Sequence, residues 1–195
     1  MKKTNKKGFT LIELLAVIVI LGVIMVIAIP SMTGYIANSR KDTMLSSAQE
    51  FINAARTLLI SENALPSYGE AVAVPISIIE VDKGGVSPYT NKPFTETAGK
   101  SYVLVYNKAT TAATTTSKDY SYAITLIDEK GNCLDLVDES FLTSGTTRKK
   151  RAHVKGSACT AVGVKASLSA ATEFSVVDSA DTAVKIKPNK VTLYK

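Results

Sequence analysis

The sequence predicts an α+β protein in which one long N-terminal helix packs on an antiparallel β-sheet. Apolar residues dominate the first third of the chain, at first without interruption and then at helical spacing. The remainder holds short segments rich in Val, Ile and Tyr, separated by Gly, Pro and Thr. At 195 residues, the chain is long enough for one compact domain in addition to such a helix.

The first element is an apolar segment behind a short basic start. Four lysines lie among the first seven residues, and Glu13 is the only charged residue between Phe9 and Pro30. A helix over these 22 residues is about 33 Å long and can cross the roughly 30 Å core of a bilayer. The lysines predict a cytoplasmic N-terminus and explain much of the net charge of +6. A secretory signal peptide fits less well, because its apolar stretch is shorter and ends at a small-residue cleavage site.

Glu13 is unusual in this apolar setting. A charge at the bilayer centre costs about 2.5–3.5 kcal/mol, and less near the interface, where Glu13 lies six residues after Lys7. One interpretation is an interfacial carboxyl that reaches water or binds a proton. The other is a carboxylate that awaits a cationic partner, such as a free amino group on Phe9 of a neighbouring subunit, produced by cleavage after Gly8.

The segment KGFTLIE at residues 7–13, with the long apolar run that contains Gly22 and Pro30, resembles the class III signal of type IV pilins and related pseudopilins. The resemblance covers about residues 1–60 and implies the pilin fold. It implies that a prepilin peptidase cuts between Gly8 and Phe9, removes residues 1–8 as a leader and methylates the Phe9 amine. It also implies that Glu13 pairs with that amine on an adjacent subunit and that the stretch from Gly22 to Pro30 unwinds in a filament.

The resemblance further implies partners and a location. The chain would polymerise with itself into a helical homopolymer, together with minor pilins, on an inner-membrane assembly platform with a motor ATPase. The precursor would be a single-pass protein of the cytoplasmic membrane, and the mature chain would lie in an extracellular pilus for adhesion, twitching motility or biofilm formation. The alternative is a pseudopilin of a type II secretion or DNA-uptake (competence) apparatus. A binding module tethered by one span is a third hypothesis.

The helical pattern continues beyond Pro30. One apolar stripe contains Met44, Ala48, Phe51, Ala55 and Leu58, widened by Leu45, Ile52 and Leu59. Asn63 and Pro66 are stop signals, so the helix is predicted over about residues 9–62. We therefore divide the chain into a transmembrane or filament-core helix at 9–30, an amphipathic helix at 31–63 that packs on the head, and a globular β-rich head at 64–195.

The head begins with an irregular stretch and continues with strands. Residues 64–100 contain four prolines and a Gly-Gly pair, which predict a connecting loop with one short element near 76–81. Strands are predicted at 101–107, 120–128, 132–137, 173–178, 183–187 and 190–194, with a Thr- and Ala-rich hairpin tip at 108–118. An antiparallel sheet of four to seven strands on the helix is the expected architecture.

The head contains both cysteines and the longest basic run outside the leader. In an exported domain, Cys133 and Cys159 predict a disulfide that closes the loop 133–159, whereas two free thiols in a reducing compartment are the alternative. Inside this loop lie His153, to which we assign no ligand role, and four consecutive basic residues, Arg148, Lys149, Lys150 and Arg151. The basic run is a candidate contact for anionic host or surface ligands; a solvated loop is the interpretation that we prefer.

The sequence contains none of the enzyme motifs HExxH, P-loop, GxGxxG or GxSxG. One histidine and two cysteines cannot form a Cys/His metal cluster. Asp135, Asp138 and Glu139 lie close together as calcium ligands would, but their spacing matches no EF-hand loop, so we prefer a solvated acidic turn. We therefore predict a protein that is not an enzyme and has no cofactor or metal.

Overall fold

The computed structural model describes residues 8–79, 81, 85–94, 101–108, 119–144, 146–156 and 173–194. By its internal contacts the chain divides into two units, Met1–Ser39 and Arg40–Lys195. The elements are α1 (Leu11–Ser61), β1 (Glu70–Pro75), a 3-10 turn (Ile76–Ile78), β2 (Tyr102–Asn107), β3 (Tyr120–Ile127), β4 (Cys133–Asp138), α2 (Glu139–Ser144), α3 (Thr147–Ala152), β5 (Val154–Lys155), β6 (Phe174–Val177), β7 (Ala183–Ile186) and β8 (Lys190–Leu193).

Helix α1 ends at the predicted stop signal. Asn63 has a φ of 50°, the left-handed conformation that terminates many helices. The Ala64 amide donates to the Leu59 carbonyl at 2.9 Å, and the Asn63 amide donates to the Ile60 carbonyl at 3.2 Å. These two bonds form a Schellman motif, which satisfies carbonyls that the end of a helix would otherwise leave unpaired.

Helix α1 remains helical through Gly22 and Pro30. A proline inside a helix lacks one amide donor, and we expected Pro30 to kink or break the hydrogen-bonding ladder. Pro30 does not end the helix, which continues to Ser61, although the ladder lacks the one bond that a proline amide cannot donate. That Gly22 and Pro30 give flexibility within a filament stays a prediction.

The part of α1 that belongs to the second unit supplies one side of a large core. Its apolar stripe is buried at Met44, Leu45, Ala48, Phe51, Ile52, Ala55 and Leu59, with Leu58 partly buried. These side chains pack against alternate residues of the sheet, including Val72, Val74, Val103, Val105 and Ile124. The predicted amphipathic stripe is therefore confirmed, and we call this side of the sheet the helix-covered face.

The strands of the described residues form one eight-stranded sheet. Its order is β7-β6-β4-β3-β2-β1-β8, and β5 pairs with β4 outside this path. Two neighbouring pairs, β1 with β8 and β4 with β6, are parallel, and the other pairs are antiparallel. The predicted α+β class is confirmed, and the sheet is mostly antiparallel. The expected number of four to seven strands was too low, and the two parallel pairs were not foreseen.

The two ends of this strand order lie close together. Only residues 187–189 connect the edge strands β7 and β8, so Ile186 and Lys190 are within about 14 Å of each other. A flat sheet of seven strands would separate its edges by about 29 Å. The sheet therefore curls. Its inner face carries a second core, formed by Ala71, Ala73, Tyr102, Leu104, Tyr106, Ala123, Leu136, Phe174, Val176 and Val191.

Strand β1 corrects the prediction that residues 64–100 form a connecting loop. Alternate β1 residues are buried on opposite faces, with Ala71 and Ala73 on the inner face and Val72 and Val74 on the helix-covered face. Burial on both faces removes the apolar–polar alternation that marks a half-buried strand. Proline is tolerated here because Pro75 is the last residue of the strand.

Candidate functional site

The first unit exposes a long apolar surface. Every large apolar side chain between residues 11 and 36 is at least 45% exposed in the single chain. Helix α1 is long and apolar enough to cross a membrane by length and composition. An apolar surface of this size is not stable in water, so it requires lipid or another protein surface.

Glu13 lies in the first turn of α1 and contacts the residue before the helix. The Thr10 amide donates to Glu13 Oε2 at 2.8 Å, and the Thr10 hydroxyl donates to the same oxygen at 2.9 Å. In return, the Glu13 amide donates to Thr10 Oγ1 at 3.3 Å. This reciprocal pattern is a capping box, in which Thr10 is the N-cap and Glu13 the third helical residue.

The capping box gives Glu13 a local role that the sequence analysis missed, although the Thr-x-x-Glu pattern was visible. A carboxylate in the first turn also interacts favourably with the positive end of the helix dipole. Both bonds from Thr10 end on Oε2, and neither uses Oε1. Glu13 can therefore cap its own helix with one oxygen and accept a cationic donor with the other.

The predicted cleavage junction precedes the helix. Gly8, Phe9 and Thr10 are not helical, and α1 begins at Leu11. The Phe9 side chain is 88% exposed. An exposed, non-helical peptide is the form of substrate that a peptidase can accommodate. Cleavage and methylation at this junction stay predictions.

The predicted basic loop is instead the short helix α3, which contains no buried residue and is therefore solvated as expected. Arg151 donates to Asp42 of α1 through Nε at 2.6 Å and through a second guanidinium nitrogen, which holds the pKa of Asp42 below its usual value. Lys150 donates to the Leu142 carbonyl. Arg148 and Lys149 are exposed. Two of the four cations therefore hold α3 in the fold, and contact with anionic ligands stays a prediction.

Cys133 is buried at the start of β4 and is bonded in a disulfide. Its predicted partner, Cys159, lies outside the described residues, as do residues 109–118 of the hairpin tip predicted at 108–118. Pairing of Cys133 with Cys159 therefore stays a prediction.

The acidic residues considered as calcium ligands each have another partner. Asp138 accepts from the Tyr106 hydroxyl at 2.8 Å, Glu139 pairs with Arg56, and Asp135 lies 2.5 Å from Lys155 Nζ. Within the described ranges, no group of His, Cys, Asp and Glu side chains could hold a metal ion. The expected solvated turn is also inaccurate, since Asp138 is the last residue of β4 and is buried.

Sequence comparison adds to the geometry of the N-terminal segment. Residues 3–29 match the family model described as the prokaryotic N-terminal methylation motif. A stretch of 58 residues is 41% identical to a "Type IV major fimbrial protein FimA" of Dichelobacter nodosus, and a second such protein of that organism gives the same identity. The first alignment covers 30% of this chain and 37% of the relative, so the chain spans little more than a third of the relatives it matches. No solved structure gives a significant match.

The family match shows that the N-terminal segment, residues 3–29, is similar to an N-terminal methylation motif. The predicted resemblance to type IV pilins is confirmed by the identity with the fimbrial proteins. The long apolar helix and the largely antiparallel sheet agree with the α+β class expected of a pilin.

Proposed function

We propose that this chain is the precursor of a type IV pilus subunit. In this proposal, a prepilin peptidase removes residues 1–8 and methylates the Phe9 amine. The segment 9–30 then leaves the membrane and packs with copies of itself in the filament core, residues 31–63 bridge to the head, and residues 64–195 form its surface. Minor pilins and a membrane assembly platform with a motor ATPase would complete the system.

The observation that carries the proposal is the exposed apolar surface with one carboxylate at its start. Lipid can cover the apolar side chains of the precursor, but a charged Glu13 within the apolar run is costly there. A bundle of identical helices covers the same side chains and also brings a Phe9 amine to each Glu13. The capping box supports this arrangement, because Thr10 occupies only one oxygen of Glu13. The matched relatives carry fimbrial names, which agrees with a filament subunit.

The decisive experiment separates the charge of Glu13 from its capping role. Glu13→Gln keeps a side chain that serves in a capping box, but it removes the negative charge. Glu13→Ala removes both. Each variant would be expressed as the sole copy of the full chain in cells with the assembly machinery. Membrane-fraction and sheared-surface material would then be compared by immunoblot.

We expect Glu13→Gln to insert and to be processed like the wild type, but to yield at least about tenfold less sheared filament, since one lost charge pair is worth more than about 1.4 kcal/mol out of water. Glu50→Gln is the matched control, because it removes an exposed acid of the same helix. Wild-type filament yield from Glu13→Gln would overturn the pairing of Glu13 with an amine. Mass spectrometry of the sheared subunit should find a methylated Phe9 at the N-terminus, and retention of Met1 would contradict processing.

The same material addresses the role of the filament. A pilus for adhesion, twitching motility or biofilm formation is released into the sheared fraction. A pseudopilin of a secretion or DNA-uptake apparatus would stay with the cell envelope and would still depend on Glu13. We propose the pilus, because the matched relatives are fimbrial proteins by name.

A further inference from the structure

The inner face of the sheet opens into a cleft at one end of the head. Strands β2, β4 and β6 run in the same direction, because β3 is antiparallel to both β2 and β4, and β6 is parallel to β4. Their last residues therefore lie at the same end of the sheet. Together with the start of α2, the turn after β6 and part of β7, they line a cleft of about 500 Å³. This volume lies within the usual range of ligand pockets.

A hydrogen-bonded pair of buried polar side chains, Tyr106 and Asp138, forms part of the lining. The Tyr106 hydroxyl donates to Asp138 Oδ2 at 2.8 Å, and the Ser140 amide donates to Asp138 Oδ1 at 2.9 Å. Burial, and then the charge of Asp138, raises the pKa of Tyr106, so its hydroxyl stays a donor. The two bonds fix the carboxylate in place and use about half of its acceptor positions. Asp138 can therefore accept further hydrogen bonds from a ligand.

Three more charged side chains line the cleft, namely Asp178, Lys108 and Lys185. Two amides of the β6–β7 turn donate to Asp178 Oδ1 at 2.9 and 3.0 Å, and neither bond uses Oδ2. Lys108 Nζ lies 5.6 Å from the centre of the Tyr106 ring, and Lys185 Nζ lies 2.6 Å from Glu173 Oε1. Each of the three groups is thus oriented by a neighbour within the head.

The charges of the lining balance. Two acids, Asp138 and Asp178, are matched by two lysines, Lys108 and Lys185. A cationic ligand would be repelled by the lysines and an anionic ligand by the acids, whereas a ligand without charge avoids both costs. Hydroxyl groups suit this lining, because a hydroxyl both donates to a carboxylate and accepts from an ammonium group. The polar part of the cleft therefore fits a neutral ligand with several hydroxyls.

Another part of the lining is aliphatic. Val176 is buried, Ile186 is partly buried and Val184 is exposed. These side chains offer no hydrogen bond, so the ligand atoms that cover them must be apolar. A purely apolar ligand would cover the polar groups as well, without replacing the hydrogen bonds that they make to water. The ligand therefore needs both hydroxyls and a C–H face, which a saccharide ring combines.

We propose that this cleft binds a neutral mono- or disaccharide. Hydroxyl groups of the sugar bond to Asp138, Asp178 and Lys108. The C–H face of the ring packs on Val184 and Ile186. All of these residues belong to the second unit, so saccharide binding is independent of processing and of the proposed filament.

The proposal is tested on the full chain in a detergent without a sugar headgroup, so that the detergent does not compete. The probes are the methyl glycosides of glucose, galactose, N-acetylglucosamine and N-acetylgalactosamine, each at up to about 20 mM, which detects weak binding of a single ring. Saturation-transfer-difference NMR shows whether a glycoside binds and which of its protons contact the protein. We expect at least one glycoside to bind, with the strongest transfer to the C–H protons of one face.

The amine n-butylamine and the anion acetate are the comparison probes. If no glycoside binds, or if n-butylamine or acetate binds at least as tightly as the best glycoside, the assignment to a neutral saccharide is wrong.

Asp178→Asn tests the polar part of the cleft. It removes one carboxylate oxygen and keeps an oxygen for the two turn amides, so the hairpin is retained. We expect the glycoside to bind at least about tenfold more weakly, as for the loss of a hydrogen bond to a charged group. Glu129→Gln is the matched control, since it removes an acid that pairs with Lys92 in another turn, and it should leave the affinity unchanged. Wild-type affinity in Asp178→Asn would overturn the site.

Val184→Ala tests the aliphatic part. It should weaken binding about fourfold, because two methyl groups are lost from a partly covered surface. Val86→Ala is its control, since Val86 is 46% exposed and Val184 is 43% exposed. Both valines are exposed, so neither substitution should unfold the head. Equal affinities in the two valine variants would contradict packing of the sugar in this cleft.

Discussion

Two stretches of helix α1 differ in the exposure of their apolar side chains. Between residues 11 and 36, every large apolar side chain of α1 is exposed in the single chain. Between residues 44 and 59, the apolar stripe is buried against the sheet, and Met44, Ala48, Ile52 and Ala55 are fully inaccessible. The first stretch is apolar around its whole circumference, whereas the second alternates with Gln, Asn and Arg.

This difference in exposure predicts that the second stretch determines the stability of the subunit and the first its insertion or assembly. Residues of the second stretch have their partners within the chain, so their contribution is measured as stability of the isolated subunit. Residues of the first stretch have apolar surface that only lipid or other copies can cover. A substitution there should change insertion or filament formation and leave the stability of the head unaltered.

The strongest test of this separation pairs two apolar positions of α1. Phe51 is 1% exposed and packs edge-on to Phe94, with ring centroids 6.1 Å apart. Phe51→Ala should lower the free energy of unfolding by about 3–5 kcal/mol, because it removes a buried ring and leaves a cavity. Leu15→Ala, at a side chain that is 53% exposed, should change it by less than about 0.5 kcal/mol. Urea unfolding of the full chain in detergent, followed by tyrosine fluorescence, measures both.

In an assembly assay the order of these two variants should reverse, so that Leu15→Ala lowers the filament yield more than Phe51→Ala does. Leu15→Ala removes apolar surface from the proposed filament core, whereas Ile60→Ala changes an exposed residue directly after the second stretch and serves as its control. If Leu15→Ala destabilises the isolated head as much as Phe51→Ala does, the separation between the two stretches is wrong.

Glycines give a second and smaller test. Gly69 has a φ of 71°, and an added Cβ would lie 2.6 Å from Asn189 Nδ2. Gly69→Ala should therefore cost about 2–3 kcal/mol through backbone strain and displacement of Asn189. Gly131→Ala, with a φ of 82° and open space around the new Cβ, should cost only about 1 kcal/mol. Unfolding free energies from urea titration report the two values.

Gly22 is the corresponding position in the exposed stretch. An added Cβ there meets nothing within 4 Å, so Gly22→Ala should leave the head stability unchanged. The double variant Gly69→Ala with Asn189→Ala should recover the part of the cost that comes from the clash. Equal costs for Gly69→Ala and Gly131→Ala would mean that the contact with Asn189 contributes nothing.

The sequence predicted the helix and six of the strands because their apolar patterns are local. It did not predict β1, whose Val and Ala residues are buried on both faces, or the short helices α2 and α3. The hexapeptide TRKKRA has no apolar periodicity, and distant contacts such as that between Arg151 and Asp42 hold it in place. Helices of this length are not stable through their own hydrogen bonds.

The candidate site shows the same limit. Glu13 could be recognised from the sequence because it is the one charge in an apolar run. The cleft in the head could not, because its lining comes from residues between Tyr106 and Ile186 that lie in different strands. The position of a charge within a local apolar run can be read from a sequence. A cluster of residues from different strands can be predicted only if the register of those strands is known.

The smallest expected effect concerns strand β7, which is exposed like the first stretch of α1 although it belongs to the head. In β7, the residues Ala183, Val184 and Lys185 are exposed. Hydrogen bonds from Lys185 at 2.6 Å and Lys187 at 2.7 Å lower the pKa of Glu173 to about 2. Because this pKa lies below that of a glutamate in the unfolded chain, ionised Glu173 stabilises the hairpin above about pH 4.5.

That stabilisation should be lost as the pH falls from about 4.5 toward 2. Protection factors in β6 and β7 should therefore decline slightly below about pH 4.5 in the wild type and not in Glu173→Gln. About 0.5 M salt should reduce the decline, because both lysines are exposed and the ion pairs are screened. Glu62→Gln, at an exposed acid beyond the end of α1, should retain it. An undiminished decline in Glu173→Gln would show that other carboxyls hold the hairpin in acid.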